Sequence, residues 1–173
     1  MARHKRAARL PTFKGRDDLF DEVNLQLLRE LLADPRLATS ELARRVGMSA
    51  PAVRERVQRL EASGVVTGYR VELDSGSLGF PVTAFVRIRP VPGGLPKIAE
   101  IARELPCVTE CYRITGEDCF IAKVHAASIE DLEGSLDRFL AYGNTTTSIV
   151  VSMPVTPRPL PLPDQGDPPS SKG

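Results

Sequence analysis

Arg54, Gln58 and Arg59 stand at positions i, i+4 and i+5 of the stretch LARRVGMSAPAVRERVQRLEASG, Leu42 to Gly64. On a helix Gln58 falls opposite Val53 and Val57, with Pro51 and Glu55, and Arg54 and Arg59 flank that outer face. Glutamine can pair bidentately with adenine, and arginine with guanine or with a phosphate. Together with Ser49, Ala50, Pro51 and Glu55 they make a candidate DNA-reading surface. A second stretch with chemistry to offer is ITGEDCF, Ile114 to Phe120, where Gly116 can take the positive φ of a tight turn. Glu117 and Asp118 place two carboxylates beside that glycine.

A reading surface needs a small core behind it. Val23, Leu27, Leu28 and Leu31 recur at three- and four-residue steps and predict a first helix that ends near Ala33-Asp34-Pro35. Leu42, Ala43 and Val46 predict a short second helix, which Gly47 terminates. Ser49 is placed to cap a third, with Pro51 tolerated in its first turn and Val53, Val57 and Leu60 as its buried seam. Short helix, Gly47-Met48-Ser49 turn and longer helix make a helix-turn-helix. After Gly64, VVTGYRVELD holds two β-rich pieces around Thr67-Gly68, which predict a hairpin wing.

The second half alternates. VTAFVRIR is a predicted strand with Val82, Ala84, Val86 and Ile88 on one face and Thr83, Phe85, Arg87 and Arg89 on the other. GLPKIAEIARELP follows as an amphipathic helix through Ile98, Ile101, Ala102 and Leu105. VTECYRI and CFIAKV flank the TGED turn, a last helix presents Ile129, Leu132, Leu136 and Phe139 inward, and TTSIVVS supplies the fourth strand. The order β-α-β-β-α-β is that of a ferredoxin-like domain, so the fold class is α+β. Its helices cover one sheet face. The other, with Phe85 and Ile121, calls for a partner, most simply the same sheet of a second chain.

Composition narrows the function. The chain has 173 residues, 42% apolar and 26% charged, enough for two small domains. Residues 1–70 hold 14 Lys and Arg against 9 Asp and Glu, a net of +5, which leaves 9 against 13, a net of −4, for residues 71–173. An anionic partner for the first half follows. Neither a membrane span nor a secretion signal is present, so a cytoplasmic location is expected. The three cysteines, Cys107, Cys111 and Cys119, and the histidines His4 and His125 show no metal-ligand spacing, and no metal or cofactor is expected. No catalytic set or phosphate loop appears, so no enzymatic activity is expected. The strand order is shared with RNA-recognition domains, but DCFIAKVH lacks their aromatic pattern. The competing reading is a ligand-sensing module that controls a partner protein without touching DNA; retention of upstream DNA separates the two.

FDEVNLQLL and DPRLATSELARRVGMSAPAVRERVQRLEASGVVTGY resemble the Lrp/AsnC, or feast/famine, transcriptional regulators, with the likeness covering about residues 17–155. Two departures stand out. Asn24 replaces the family's usual Asp, and Ala38 replaces a Ser that caps the second helix against an acid three residues on, here Glu41. The lost box predicts a shifted or frayed first turn, with Thr39 or Ser40 as substitute cap. The resemblance implies a dimer that assembles further and an effector site, typically for amino acids, at the ITGEDCF turn. The expected effector pocket, between dimers, takes Thr115, Gly116, Glu117 and Asp118 with Asn144, Thr145 and Thr146, and Asp118 is expected to take the ligand's ammonium. The family's Asp position, counted from Gly116, is Cys119 here, with Asp118 one place early.

The expected organisation is therefore a basic arm over residues 1–16, a winged helix-turn-helix over 17–72, a linker over 73–80, a ferredoxin-like effector and oligomerisation domain over 81–155 and a disordered tail over 156–173. The tail, with seven prolines after Met153, is polyproline-prone.

Overall fold

The structure, a computed structural model, describes residues 19–162. The basic arm and the last part of the tail lie outside the described residues. The chain divides into two compact units: one runs to Arg70 and takes in the chain again from Pro157, and the other is Val71–Thr156.

In the first unit, α1 (Glu22–Ala33) starts at Asp21, whose carboxylate accepts the Asn24 N–H at 2.7 Å. It is followed by α2 (Thr39–Val46) and α3 (Ala50–Ala62). Leu27, Leu42, Ala43, Val46 and Val53 close one small core. Leu19, Leu28 and Leu60 close a second, against which Phe20, Val65 and Val66 pack. The first turn of α2 is not displaced as its missing cap box predicts. Ala38 occupies the cap position without a side-chain bond, and neither Thr39 nor Ser40 substitutes. Glu41 instead sits at the positive end of the helix and bridges to Arg44 and Arg45, which holds that turn in place.

The wing is absent. Residues 65–74 form no strand pair. The amides of Val65 and Val66 donate to Leu60 O at 3.0 and 3.1 Å, capping the end of α3, and both side chains enter the Leu60 core. The first arm of the predicted hairpin is thus consumed by helix termination, and the second, residues 69–74, has no strand partner among the described residues.

In the second unit, β1 (Val82–Pro90), α4 (Leu95–Glu104), β2 (Val108–Arg113), β3 (Phe120–Ala126), α5 (Ile129–Leu140) and β4 (Gly143–Ile149) follow in sequence. The sheet order is β2-β3-β1-β4, and each neighbouring pair is antiparallel. Ala84, Val86 and Ile88 meet Phe120, Ala122 and Val124 under Ile98, Ile101, Leu132 and Phe139. Ile129, predicted inward, is exposed at the start of α5. β4 begins three residues before the predicted strand. Its first residue, Gly143, lies so close to β1 that a Cβ there would stand 2.7 Å from Arg89 O. Beyond Ile149, Val150 N still reaches β1 at Thr83 O.

Candidate nucleic-acid interface and effector site

The turn between α2 and α3 is made by Gly47 at φ 66°, the left-handed conformation that favours glycine, and by Met48 N donating to Ala43 O at 3.0 Å. Ser49 then caps α3, accepting from Ala52 N at 3.4 Å. Buried Val53 and Leu60 fix the roll of the helix, so Ser49, Pro51, Arg54, Glu55, Gln58 and Arg59 are exposed along one side. Ala50 departs from the predicted surface: it is half-buried and packs on the Leu27 core. Arg59 is held by Glu55 at 2.9 Å, one turn back. Arg54 and Gln58 have no partner among the described residues. Side chains of these two types can reach a base edge or a phosphate.

Behind this surface, ion pairs lock the helices together. Glu41 takes Arg44 at 2.7 Å and Arg45 at 2.8 Å, and hydrogen bonds from these two guanidinium groups hold its carboxyl down at about 2. Arg45 also reaches Glu30 of α1 at 2.6 Å, while Gln26 donates to Arg45 O at 3.0 Å. Sequence reasoning missed Arg56. It sits three residues after Val53, inside the apolar seam, and such a charge needs a partner. It finds Asp21 at 2.6 Å and Asn24 at 3.0 Å. Burial pushes the Asp21 carboxyl up, but the Asn24 N–H and Arg56 outweigh it, and the net shift is downward.

In the second unit the turn after β2 closes through Ile114 N donating to Cys119 O at 2.9 Å, with Gly116 at φ 110°. Glu117 meets Arg89 at 2.5 Å, and Asp118 meets Arg89 at 3.4 Å and Arg87 at 3.7 Å. These two arginines of β1 were not among the predicted site residues. The alternation of β1 was the available signal, since it puts both on the face without helices. In the β1–β4 register Arg87 lies opposite Thr146 and Arg89 opposite Asn144, so Asn144 and Thr146 share that face. Thr145 pairs with Ile88 and is thereby assigned to the helix side, away from the cluster. Thr115 is exposed in the turn, and Cys119 packs partly against the sheet core. All three cysteines are free thiols. The Asp118 carboxylate already faces arginines. It belongs to a mixed cluster of two acids and two arginines, a pattern that suits a zwitterion.

A groove of about 660 Å³ lies elsewhere, between α4 and β2, lined by Leu95, Ala99, Arg103, Val108, Cys111 and Phe120 among others. No predicted effector residue lines it. Its acid, Glu110, is engaged by Lys123 at 3.3 Å and by the Tyr112 hydroxyl at 2.6 Å.

A helix-turn-helix with an exposed arginine and glutamine on its second helix, followed by a ferredoxin-like unit carrying a charged cluster, defines a DNA-binding regulator with a ligand-sensing domain. Residues 20–61 match the AsnC-type helix-turn-helix domain and residues 83–160 the Lrp/AsnC ligand binding domain. The chain belongs to the Lrp/AsnC family of transcriptional regulators. It is 33% identical over 132 residues to the HTH-type transcriptional regulator LrpC of Bacillus subtilis, covering 76% of this chain and 92% of LrpC. The solved LrpC structure superposes with a TM-score of 0.74 over 79% of this chain and 98% of that one. The regulator LrpA of Mycobacterium tuberculosis is 38% identical over 76% of this chain and 88% of its own length. The feast or famine regulatory protein of M. tuberculosis, solved in complex with L-methionine, is 34% identical with a TM-score of 0.71, over 81% of this chain and 97% of that one. Among the described residues no helix is long and apolar enough to cross a membrane.

Proposed function

We propose that this regulator reads duplex DNA with the first turns of α3 in a major groove, and that an amino acid bound at the Arg87–Arg89–Glu117–Asp118 cluster adjusts its affinity. Exposed Arg54 and Gln58, without a partner among the described residues and following a capped turn, carry the DNA half of this reading. The ligand half rests on the cluster's mixed charge and on the L-methionine complex of the relative. The working form is a dimer, because the open sheet face leaves Phe85 41% and Tyr112 54% exposed beside Ile121, an apolar patch that a second copy of the sheet would cover. A gel shift on the protein's own upstream DNA, repeated with each proteinogenic amino acid, tests it. Retention of that fragment over random DNA, with affinity changed by at least one amino acid, is the expected result. Equal retention of both fragments would remove the specific-reading half. Indifference to every amino acid would remove the sensing half.

A further inference from the structure

We infer that the proline-rich segment after β4 is a strap whose anchor, Leu162, completes the core behind the DNA-reading helix. Leu162 is half-buried and packs on the Leu19–Leu28–Leu60 core together with Phe20, Val65 and Val66. That core lies at the far end of α3, where Leu60 is fully buried and Leu60 O receives the amides of Val65 and Val66. The reading unit is accordingly built from two separate stretches of chain, with the second entering at Pro157.

The sequence explains why a segment without regular hydrogen bonds can act this way. From Thr156 to Leu162 every residue is a proline or stands directly before one: Thr156 before Pro157, Arg158 before Pro159, Leu160 before Pro161, and Leu162 before Pro163. Proline fixes its own φ and drives the preceding residue to extended backbone, so the strap is stiff before it docks. Little conformational entropy is lost when it does. A polyproline helix turns once in about three residues, so side chains two apart point different ways. Leu160 is accordingly 86% exposed while Leu162 is turned inward. The match to the family's ligand binding domain ends at residue 160. The anchor therefore lies past the family's own domain, and the strap gives the reading unit a second covalent tie to the sensing unit, besides the segment that leaves Arg70.

The two leucines supply the test in the full-length chain. With Leu162→Ser, the unfolding midpoint of the helical unit should fall by about 4 to 8 °C. Amide exchange over Leu60–Val66 should quicken about tenfold, and exchange in β1 should stay as it was. DNA affinity should fall several-fold with it, because the end of α3 is less firmly held. Leu160→Ser, equally apolar to polar and two residues away, should change none of these. The same response from both variants, or from neither, would overturn the strap.

Discussion

Arg56 Nη1 donates to Asp21 Oδ2 at 2.6 Å and to Asn24 Oδ1 at 3.0 Å, tying the inner side of α3 to the cap of α1. Asn24 is buried, 1% exposed, and the guanidinium beside it is partly shielded from water. Loss of either partner therefore strands a polar group in a small core.

Asp21→Ala removes a helix cap and the partner of Arg56 together, and should cost the helical unit about 1 to 3 kcal/mol. Arg56→Met, which keeps the aliphatic stem, should cost less than Arg56→Ala. Chemical unfolding followed by helix signal reads both. A neutral Asp21→Ala would mean that the bond is a surface pair of little consequence.

On the outer side of α3, Arg54→Ala and Gln58→Ala should weaken operator binding by about 1 to 3 kcal/mol each if bidentate to a base, with the loss concentrated at one base pair. Arg59→Ala should act more evenly across sequences, because Glu55 already draws its guanidinium along the helix. Competition binding against single-base variants of the operator distinguishes these patterns. Uniform losses for Arg54 and Gln58 would reassign both to phosphate.

Elements whose evidence is local were legible in the sequence. The seam Val53–Val57–Leu60 and the alternation Ala84–Val86–Ile88 each follow from one repeat, and the buried residues fall where that repeat puts them. Features that join distant residues were not legible. Arg56 and Asp21 are 35 positions apart and Arg89 and Glu117 are 28, and only the packed helices and the strand register bring them together. The missing wing shows a local signal overruled: β-rich Val65 and Val66 serve the end of α3 and its core instead. The start of β4 was misplaced because Gly143 reads as a turn residue, whereas here it permits close approach to β1. Leu162 could not be singled out from Leu160 without the core it enters.

The α2 ion pairs predict a pH response. The Glu41 carboxyl, ordinarily at 4.5, is held at about 2 by the bonds from Arg44 and Arg45. A folded-state value below the unfolded one means that the unfolded chain binds more protons in between. This stabilisation is present above about pH 4.5 and is lost as pH falls toward about 2. Glu41→Gln lacks it at every pH. The unfolding midpoints of the two proteins should therefore differ most above pH 4.5 and converge on acidification, with the difference shrinking in high salt because the pair is exposed. A difference that is constant with pH would show that the glutamate acts through packing or helix propensity.

The charged cluster of the sensing unit makes a two-sided prediction. If a zwitterion binds there, Arg87 and Arg89 take its carboxylate while Asp118, with Glu117, takes its ammonium, and Asn144 and Thr146 line the same face of the sheet. The existing pairs would rearrange on binding, since the arginine–acid distances of 3.4 and 3.7 Å at Asp118 are long for charge-assisted bonds. Calorimetry first identifies a binding amino acid. Its methyl ester then lacks the carboxylate and its deaminated acid lacks the ammonium. Each should bind about ten- to a hundred-fold more weakly, the loss of a bond to a charged group being about 1.5 to 3 kcal/mol. Arg89→Ala should weaken the parent amino acid and leave the ester, already without its carboxylate, nearly unchanged. Asp118→Asn should do the same for the parent and the deaminated acid. Thr145→Val, on the helix side of the sheet, should leave the binding of all three compounds as it was. Full affinity for the ester in the unmutated protein would remove Arg87 and Arg89 from the site, and full affinity for the deaminated acid would remove Asp118.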